Sequence, residues 1–325
     1  MLIIGAETVR RLLPMPACIE AMDRAMRACS SGQVAAPDRI IAPLADGDSW
    51  FILMPGELRT APVYGGKIVS LHPANPGHRR PAVQGFVVLF DSATGTPTAL
   101  VDGATITRIR TAAASALATR ELARTDAATH GIFGAGVQAA SHLEAIACVR
   151  PIERVLVWAR DAGKARAFVH RHAASAGLPV EAVEDPAAAA ACDVVSAVTN
   201  ASEPVLRGAW LRPGAHLNLV GAHEAEHREA DSDAVAGAAV YVDSRRGALR
   251  EAGDLLIPIA EGRITEAHLR GELGDLLEGR IPGRESAKQV TLYKSLGLVA
   301  QDLYAAELVF RRAAAEGAGQ PVDLG

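Results

Sequence analysis

A glycine-rich segment between a predicted strand and a predicted helix constrains the fold of this chain more than any other feature. Residues 134–139 read Gly-Ala-Gly-Val-Gln-Ala, directly after an apolar strand predicted at residues 129–133. In such a segment the first glycine permits a tight turn, and the second lets the backbone approach a pyrophosphate. The small Ala139 lets the helix pack on the strand, and the helix N-terminus favours negative charge. The segment predicts a dinucleotide site, with a tight turn that binds no ligand as the alternative.

The order of predicted elements divides the chain into two domains. Strands alternate with helices from residue 121 to residue 295, which predicts the parallel sheet of a Rossmann fold with covering helices. Residues 1–120 predict a helical segment, broken near Pro14 and Pro16, followed by short strands separated by Pro and Gly, the pattern of an antiparallel sheet. The last helix, residues 298–315, has an apolar side and is expected to return to the first domain. We expect an α/β protein in which residues 1–120 and 296–325 form an α+β domain and residues 121–295 form the Rossmann domain.

Charge and composition exclude several classes of partner. The 325-residue chain has a formal net charge of −4 and only 4% aromatic residues. It therefore lacks the positive charge that neutralises phosphates and the aromatic platforms that stack on bases. No apolar run approaches the ~20 residues of a membrane helix, no signal peptide is recognised, and the four cysteines form no CxxC pair. These features predict a cytoplasmic protein without disulfides that binds neither nucleic acid nor membranes.

The end of the second Rossmann strand indicates which dinucleotide is expected. A carboxylate at this position would bind the ribose 2′-OH of NAD. The sequence reads Trp158-Ala159-Arg160-Asp161, so a cation stands where the 2′-phosphate of NADP would bind. Asp161 is either the N-cap of the next helix or the ribose ligand of an NAD enzyme. Arg160 favours NADP, and NAD is the alternative.

Three cations stand among apolar residues of the first domain. Lys67 lies in a predicted strand, Arg110 lies in an Ala-rich helix, and Arg39 precedes two isoleucines. Each alone is more typical of a structural ion pair than of a ligand site. Together they predict a site for a carboxylate substrate, because guanidinium groups bind carboxylates through paired hydrogen bonds.

Residues 223–227, His-Glu-Ala-Glu-His, match the HExxH pattern of zinc metalloproteases. On a helix the two histidines would share a face, and Glu224 would be the general base. However, the pattern follows a predicted Rossmann strand directly, has no long apolar helix around it and lacks the extension that carries a third histidine. We therefore expect no metal site here, with a zinc hydrolase as the alternative, and we expect the loop to meet the ligand of the fold.

Together these segments resemble the ornithine cyclodeaminase/mu-crystallin family over nearly the whole chain. The resemblance implies a homodimer formed through the sheet of the first domain, which binds the substrate, and a Rossmann domain that binds NAD(P). It is carried by an ordered set of segments: Pro37-Asp38-Arg39, Met54-Pro55-Gly56, Gly66-Lys67-Ile68-Val69, residues 91–97, residues 107–115, residues 134–139, Ser295-Leu296-Gly297 and Gln301-Asp302.

The resemblance also implies roles for individual residues. Arg39, Lys67 and Arg110 would bind the substrate carboxylate. Thr199 would line the nicotinamide side of the cofactor. The residues expected near the cofactor phosphates are Thr111, Gly134, Gly136, Val137 and Gln138.

Three departures from the pattern of ornithine cyclodeaminases point to another reaction. His223 replaces the aspartate that engages the ornithine amine, Gln84 stands at a substrate-contacting position that is commonly Thr, and Arg160 replaces an acidic strand end. We therefore expect an NADPH-dependent ketimine reductase acting on a 2-imino acid such as pyrroline-2-carboxylate or piperideine-2-carboxylate, with Lys67 or His223 as proton donor. The alternatives are an ornithine cyclodeaminase, an alanine-dehydrogenase-like amino acid oxidoreductase, and a protein that binds a small ligand without catalysis.

Overall fold

The computed structural model describes residues 1–78 and 80–323, which form two compact units. The first unit comprises Met1–Arg110 and the residues from Leu298 onwards, and the second comprises Thr111–Gly297. The sequence predicts boundaries after residues 120 and 295, whereas the units change after residues 110 and 297. A single helix continues through the first boundary. The sequence therefore shows no break at the residue where this helix passes from the first unit to the second.

The fold is α/β, as predicted, and its elements are numbered here in chain order. The strands are β1 Leu2–Ile4, β2 Val34–Ala35, β3 Ile40–Pro43, β4 Trp50–Leu58, β5 Val63–Leu71, β6 Val83–Asp91, β7 Pro97–Asp102, β8 Thr129–Phe133, β9 Arg154–Trp158, β10 Val180–Ala182, β11 Val194–Ala197, β12 His216–Leu219, β13 Ala238–Val242, β14 Leu269–Glu272, β15 Val290–Lys294 and β16 Gln320–Pro321. The α-helices are α1 Ala6–Leu12, α2 Met15–Ser30, α3 Gly103–Leu122, α4 Val137–Ala147, α5 Ala162–Ala176, α6 Pro186–Ala190, α7 Ser232–Ala236, α8 Arg245–Glu251, α9 Gly253–Ala260, α10 Leu273–Leu277 and α11 Val299–Glu316.

The helices follow the sequence signals closely. The predicted break near Pro14 and Pro16 separates α1 from α2, because Pro14 is the N-cap of α2 and Pro16 lies in its first turn.

No helix within residues 1–78 and 80–323 is long and apolar enough to cross a membrane.

The first unit is a mixed sheet packed against helices. Its strands lie in the order β16-β1-β7-β6-β5-β4-β2, and β3 also pairs with β4. Strands β4 to β7 are antiparallel, as predicted, whereas β1 is parallel to β7. The terminal helix α11 packs on this sheet where Gly56 of β4 removes a side chain. A Cβ at Gly56 would lie 2.7 Å from Val299 Cγ1, so the glycine permits the close approach of helix and strand.

The second unit is a parallel eight-stranded sheet with the order β10-β9-β8-β11-β12-β15-β13-β14. The chain runs outward from β8 to β10 in one direction, and β11 then returns to the other side of β8. In open parallel sheets, ligands bind beyond the carboxyl ends of the strands at such a switch point. The loops after β8, β11 and β12 contain Gly134, Thr199 and His223, so all three stand at this end of the sheet.

Candidate active site

The first unit buries two cations around one carboxylate. Lys67 of β5, Arg110 of α3 and Asp302 of α11 are each at most 5% exposed. Lys67 Nζ forms an ion pair with Asp302 Oδ2 at 2.8 Å, and Arg110 Nε donates to Asp302 Oδ1 at 3.0 Å. We call these three residues the cation cluster. It carries two positive charges and one negative charge, so it retains an excess positive charge that an anion can neutralise.

The secondary structure explains why these side chains meet. Lys67 pairs with Met54 and Val87 across the sheet, on the face that α11 covers. Asp302 lies in the first turn of α11, where the helix dipole favours a carboxylate. The next residue towards the N-terminus, Gln301, accepts a hydrogen bond from Arg110 Nη1 at 2.9 Å. The guanidinium of Arg110 is therefore held by two side chains of the same helical turn.

Electrostatics place the lysine proton within reach of physiological pH. Burial lowers the pKa of Lys67 to about 8, Asp302 opposes the shift, and the charges of Arg110 and Arg39 add to it. Arg39 is half-buried and directly precedes β3. Burial alone would raise the pKa of Asp302, but Arg110 and Lys67 hold it below its usual value. The amine of Lys67 is therefore protonated below about pH 8, beside a carboxylate whose pKa lies below its usual value.

The sequence reasoning missed Asp302 as the partner of Lys67 and Arg110. Asp302 is 192 residues from Arg110 along the chain, so no local spacing connects the two. The only available signal was the Gln301-Asp302 segment in the family resemblance, which carried no assigned role. The ion pairs with Asp302 are thus compatible with binding of a second carboxylate, because Lys67 and Arg110 share a single acidic side chain.

Gln84 lies away from the cation cluster. It pairs with Ser70 on β5 and is exposed. Alternation along β6 places Gln84 on the same side as Phe86, whereas Val87 lies on the side of Lys67. The structure therefore does not bring Gln84 together with the cation cluster of its own unit.

The loop after β8 has the geometry that a bound pyrophosphate requires. Gly134 has φ +116°, and a Cβ there would lie 2.9 Å from Val198 O. Gly136 is the N-cap of α4, makes no side-chain cap, and has no atom within 4 Å of a Cβ position. The first turn of α4 thus offers backbone N–H groups next to open space. Ala139 is fully buried, as the close packing of α4 on the sheet requires.

The neighbouring side chains fit the same ligand. The Oε1 atom of Gln138 is buried and has no hydrogen-bond partner within the described part of the chain. A buried acceptor of this kind needs a donor, which a ribose hydroxyl supplies. Val137 is 63% exposed at the first position of α4, whereas Thr111 is buried on α3. The loop therefore fits a dinucleotide cofactor.

The contacts of Asp161 after β9 decide between the two roles that the sequence left open for it, helix N-cap or ribose ligand. Its side chain accepts from Gly163 N at 2.8 Å and from Lys164 N at 3.2 Å, so it is the N-cap of α5. Arg160 is exposed. Gly134 N donates to Trp158 O at 2.8 Å, which ties the glycine loop to this strand end. Of the two charged side chains at this strand end, Asp161 caps α5, whereas Arg160 does not cap a helix.

The loops after β11 and β12 hold Thr199 and His223. Thr199 donates through its backbone N at 2.6 Å and through Oγ1 at 2.8 Å to Glu229 Oε1. His223 is exposed, and its Nδ1 lies 2.9 Å from Gly221 O. Because a carbonyl oxygen only accepts, Nδ1 carries the hydrogen, and Nε2 is left to exchange a proton. Glu229 did not appear among the predicted site residues.

The HExxH segment does not form a zinc site. Residues 223–227 lie in a turn rather than a helix, so the two histidines do not share a helical face. His227 Nδ1 lies 3.7 Å from Glu224 Oε2, which is a weak contact. Within residues 1–78 and 80–323, no group of three or more His, Cys, Asp or Glu side chains is arranged to hold a metal ion.

The sequence and the fold were compared with known proteins. Residues 2–317 match the profile of the ornithine cyclodeaminase/mu-crystallin family. A Delta(1)-pyrroline-2-carboxylate reductase of Bacillus cereus is 35% identical over 326 residues, which cover all of both chains. Among solved structures, the Delta(1)-pyrroline-2-carboxylate reductase of Thermococcus litoralis, in complex with NADH and L-proline, is 37% identical with a TM-score of 0.96, over 99% of this chain and 100% of that one.

A second solved structure is an archaeal alanine dehydrogenase dimer with bound NAD. It is 28% identical and has a TM-score of 0.94, over 100% of this chain and 99% of that one. Its fold therefore matches both units of this chain, although its reaction differs from that of the pyrroline-2-carboxylate reductases. Similarity of fold alone does not choose between these reactions.

The glycine loop yields a test that separates its two glycines. Gly134→Ala should destabilise the fold by about 1–3 kcal/mol, because alanine is strained at positive φ. Gly136→Ala should lower the free energy of unfolding by about 1 kcal/mol, because alanine is a poorer N-cap than glycine. It should nevertheless weaken NADPH binding at least tenfold, because its methyl group enters the space left for the phosphates. Urea unfolding and fluorescence titration with NADPH measure the two effects.

The control is Gly177→Ala, at the left-handed C-cap of α5 with φ +68° and open space around it. It should lower stability without changing the NADPH dissociation constant. Wild-type NADPH affinity in Gly136→Ala would show that the loop is only a tight turn.

Proposed function

Because this chain belongs to the ornithine cyclodeaminase/mu-crystallin family, we propose that it is an NAD(P)H-dependent ketimine reductase acting on the C=N bond of a 2-imino acid. The observation that carries this proposal is the buried cation cluster, whose excess positive charge fits a carboxylate. The similarity to Delta(1)-pyrroline-2-carboxylate reductases along the whole chain supports it. The proposed substrates are cyclic 2-imino acids such as pyrroline-2-carboxylate and piperideine-2-carboxylate.

Lys67, Arg110 and Arg39 are the proposed ligands of the substrate carboxylate. Arg110 is already oriented by Asp302 and Gln301, so it loses little conformational freedom when it binds. A carboxylate held by two or more cations fixes the position of C2, and such orientation contributes a large part of the rate of bimolecular reactions. The first unit thus supplies binding and orientation.

Gly134, Gly136, Val137 and Gln138 are proposed to hold the cofactor phosphates, with Thr111 and Thr199 as further contacts. When bound, the reduced nicotinamide supplies the hydride that C2 accepts. Arg160 is exposed at the end of β9 while Asp161 is used as a cap, which favours NADPH over NADH. The family itself includes a reductase that binds NADH, so the preference for NADPH rests on Arg160 alone.

Reduction of the imine also requires one proton on nitrogen. A protonated imine accepts hydride more readily, and a donor with a pKa near the working pH is most effective. Lys67 has this property because burial lowers its pKa to about 8. We assign it as the donor, and His223, whose Nε2 is left for proton exchange, is the second candidate.

Two of the alternative reactions, the cyclodeaminase and the zinc hydrolase, lack a matching feature. A cyclodeaminase must hold a second amino group of its substrate, and His223 offers no carboxylate for it. An alanine-dehydrogenase-like reaction shares the carboxylate site and is distinguished by assay rather than by geometry. The absence of a metal-ligating group of side chains within the described residues gives a zinc hydrolase no support.

Purified protein should oxidise NADPH with pyrroline-2-carboxylate or piperideine-2-carboxylate, and more slowly with NADH. It should release no ammonia from ornithine with NAD, and pyruvate with ammonia should be a poor substrate. Because Lys67 must be protonated to donate, kcat/KM, which reports the free enzyme, should fall as pH rises through about 8. Steady-state rates for each substrate across pH 6 to 10 measure these outcomes.

Lys67→Met should lower kcat at least 1000-fold while leaving the NADPH dissociation constant unchanged, and His223→Gln should keep the fall near pH 8. Exposed Lys288→Met is the matched control and should behave as wild type. Retained turnover in Lys67→Met would exclude its role as the donor. Efficient turnover of pyruvate with ammonia would instead favour the alanine-dehydrogenase-like reaction.

We further propose that the protein is a homodimer formed through the sheet face of the first unit that α11 does not cover. Ile40, Leu53, Ile68 and Phe86 are paired in one row across β3, β4, β5 and β6. Ile40 is 56% and Phe86 is 36% exposed. Contiguous apolar surface of this kind marks interaction sites, and a two-fold dimer uses the same patch on both copies. The dimer of the similar alanine dehydrogenase supports this assignment.

Phe86→Asp should convert the dimer to a monomer, because it places a charge within the row of apolar residues. Sedimentation velocity measures the mass directly. Val137→Asp is the control, since Val137 is an exposed apolar residue of the second unit, and it should leave the dimer intact. A monomeric wild-type protein, or a dimeric Phe86→Asp variant, would contradict the proposed interface.

A further inference from the structure

The second unit contains a buried group of three charged side chains outside the proposed site. Glu229, Asp254 and Lys294 are each fully buried. Lys294 Nζ lies 2.8 Å from Asp254 Oδ2 and also donates to Ala222 O. Asp254 Oδ1 accepts from Glu229 N at 2.7 Å and from Ala230 N at 3.2 Å. Lys294 thus pairs directly with Asp254, and its charge also acts on Glu229. Burial of the second carboxylate is costly unless further donors satisfy it.

The donors to Glu229 come from two different strand ends. Its Oε1 accepts from Thr199 N and Thr199 Oγ1, at 2.6 and 2.8 Å. Its Oε2 accepts from Val220 N at 3.2 Å and from Gly221 N at 2.6 Å. Thr199 lies beyond β11, whereas Val220 and Gly221 directly follow β12. One carboxylate therefore binds both loops.

The two loops have almost no room to shift past each other. A Cβ at Gly221 would lie 1.7 Å from Thr199 O and 2.6 Å from Glu229 Oε1. A further hydrogen bond fixes the segment after Gly221. Gly253 N at the start of α9 donates to Glu224 O at 3.2 Å. The backbone of residues 221–224 is therefore fixed on both sides, and His223 extends from this fixed segment.

We propose that Glu229 is a positioning residue that fixes the loops after β11 and β12 and thereby sets the positions of Thr199 and His223 for their roles with the cofactor and the proton. This inference rests on the proposed function for the roles of Thr199 and His223. The hydrogen bonds of Glu229 do not depend on it. Burial and the charge of Asp254 raise the pKa of Glu229, but Lys294 and the Thr199 donors favour the ionised form.

A purely structural role predicts a different outcome from a positioning role. Loss of a structural carboxylate lowers stability but leaves the affinity and turnover of the folded fraction unchanged. Loss of a positioning carboxylate changes cofactor affinity and kcat in the folded protein. The KM for the imino acid should remain near wild type, since the cation cluster that binds it belongs to the first unit.

The test compares Glu229→Gln and Glu229→Asp with wild type and with Glu261→Gln. In Glu229→Gln an NH₂ group replaces one carboxylate oxygen. It therefore faces N–H and O–H donors from which that oxygen accepted hydrogen bonds. NADPH affinity should fall at least tenfold, kcat at least 100-fold, and KM for pyrroline-2-carboxylate less than threefold. Amide hydrogen exchange at Thr199, Val220 and Gly221 should accelerate at least 100-fold. Glu261 accepts from Arg228 Nη1 and Ser232 Oγ at the surface, so its variant should match wild type.

Glu229→Asp keeps the charge but shortens the side chain, and it serves if the Gln variant does not fold. It should show the same pattern at smaller size, with at least a threefold loss of NADPH affinity. Folded variants with wild-type NADPH affinity and wild-type exchange at the three amides would overturn the proposal. Affinity and exchange are read without turnover, so a wild-type protein that reduces no imino acid would refute the proposed function but not this inference.

Discussion

The proposed substrate site of the first unit depends on one interaction, the ion pairing of Lys67 and Arg110 with the carboxylate of Asp302. This carboxylate is fully buried, and removing one partner of a buried ion pair costs about 3–5 kcal/mol because the other charge is left uncompensated. Three elements that are distant in sequence, β5, α3 and α11, must therefore assemble together. The same arrangement leaves one positive charge in excess, so stability of the cluster and affinity for an anion have a common origin.

In the second unit, glycine backbone and a buried carboxylate fix the loops that follow the strands. Gly134 and Gly136 give the loop after β8 its turn and its open space, and Glu229 joins the loops after β11 and β12. Each unit thus uses a buried acid to fix other groups, on the face of the sheet in the first unit and beyond the strand ends in the second. In the first unit the acid orients cations, and in the second it orients backbone amides, which suits a carboxylate in one case and a dinucleotide in the other.

Local patterns predicted much of this structure. The glycine segment, the proline break between α1 and α2, and the alternation of strands and helices all depend on neighbouring residues, and they were predicted with small errors in their ends. Asp302 was missed because its partner Arg110 is 192 residues away in sequence. Glu229 was missed because its partners are backbone and hydroxyl groups of loops 8 to 30 residues before it, and no local pattern distinguishes it from a surface acid. The domain boundary was placed ten residues late because α3 continues through it. Residues 223–227 form a turn instead of the helix that the zinc pattern needs, and Gly253 N at the start of α9 donates to Glu224 O within this turn.

In the proposed reaction, an imino acid held through its carboxylate accepts hydride at C2 and a proton at nitrogen. The decisive measurement uses NADPH deuterated at the transferable position of the nicotinamide, pyrroline-2-carboxylate as substrate, and mass spectrometry and NMR of the product. The expected product is proline with one deuterium on C2. Proline without deuterium at C2, or a protein that consumes no NADPH with this substrate, would refute the proposed reaction.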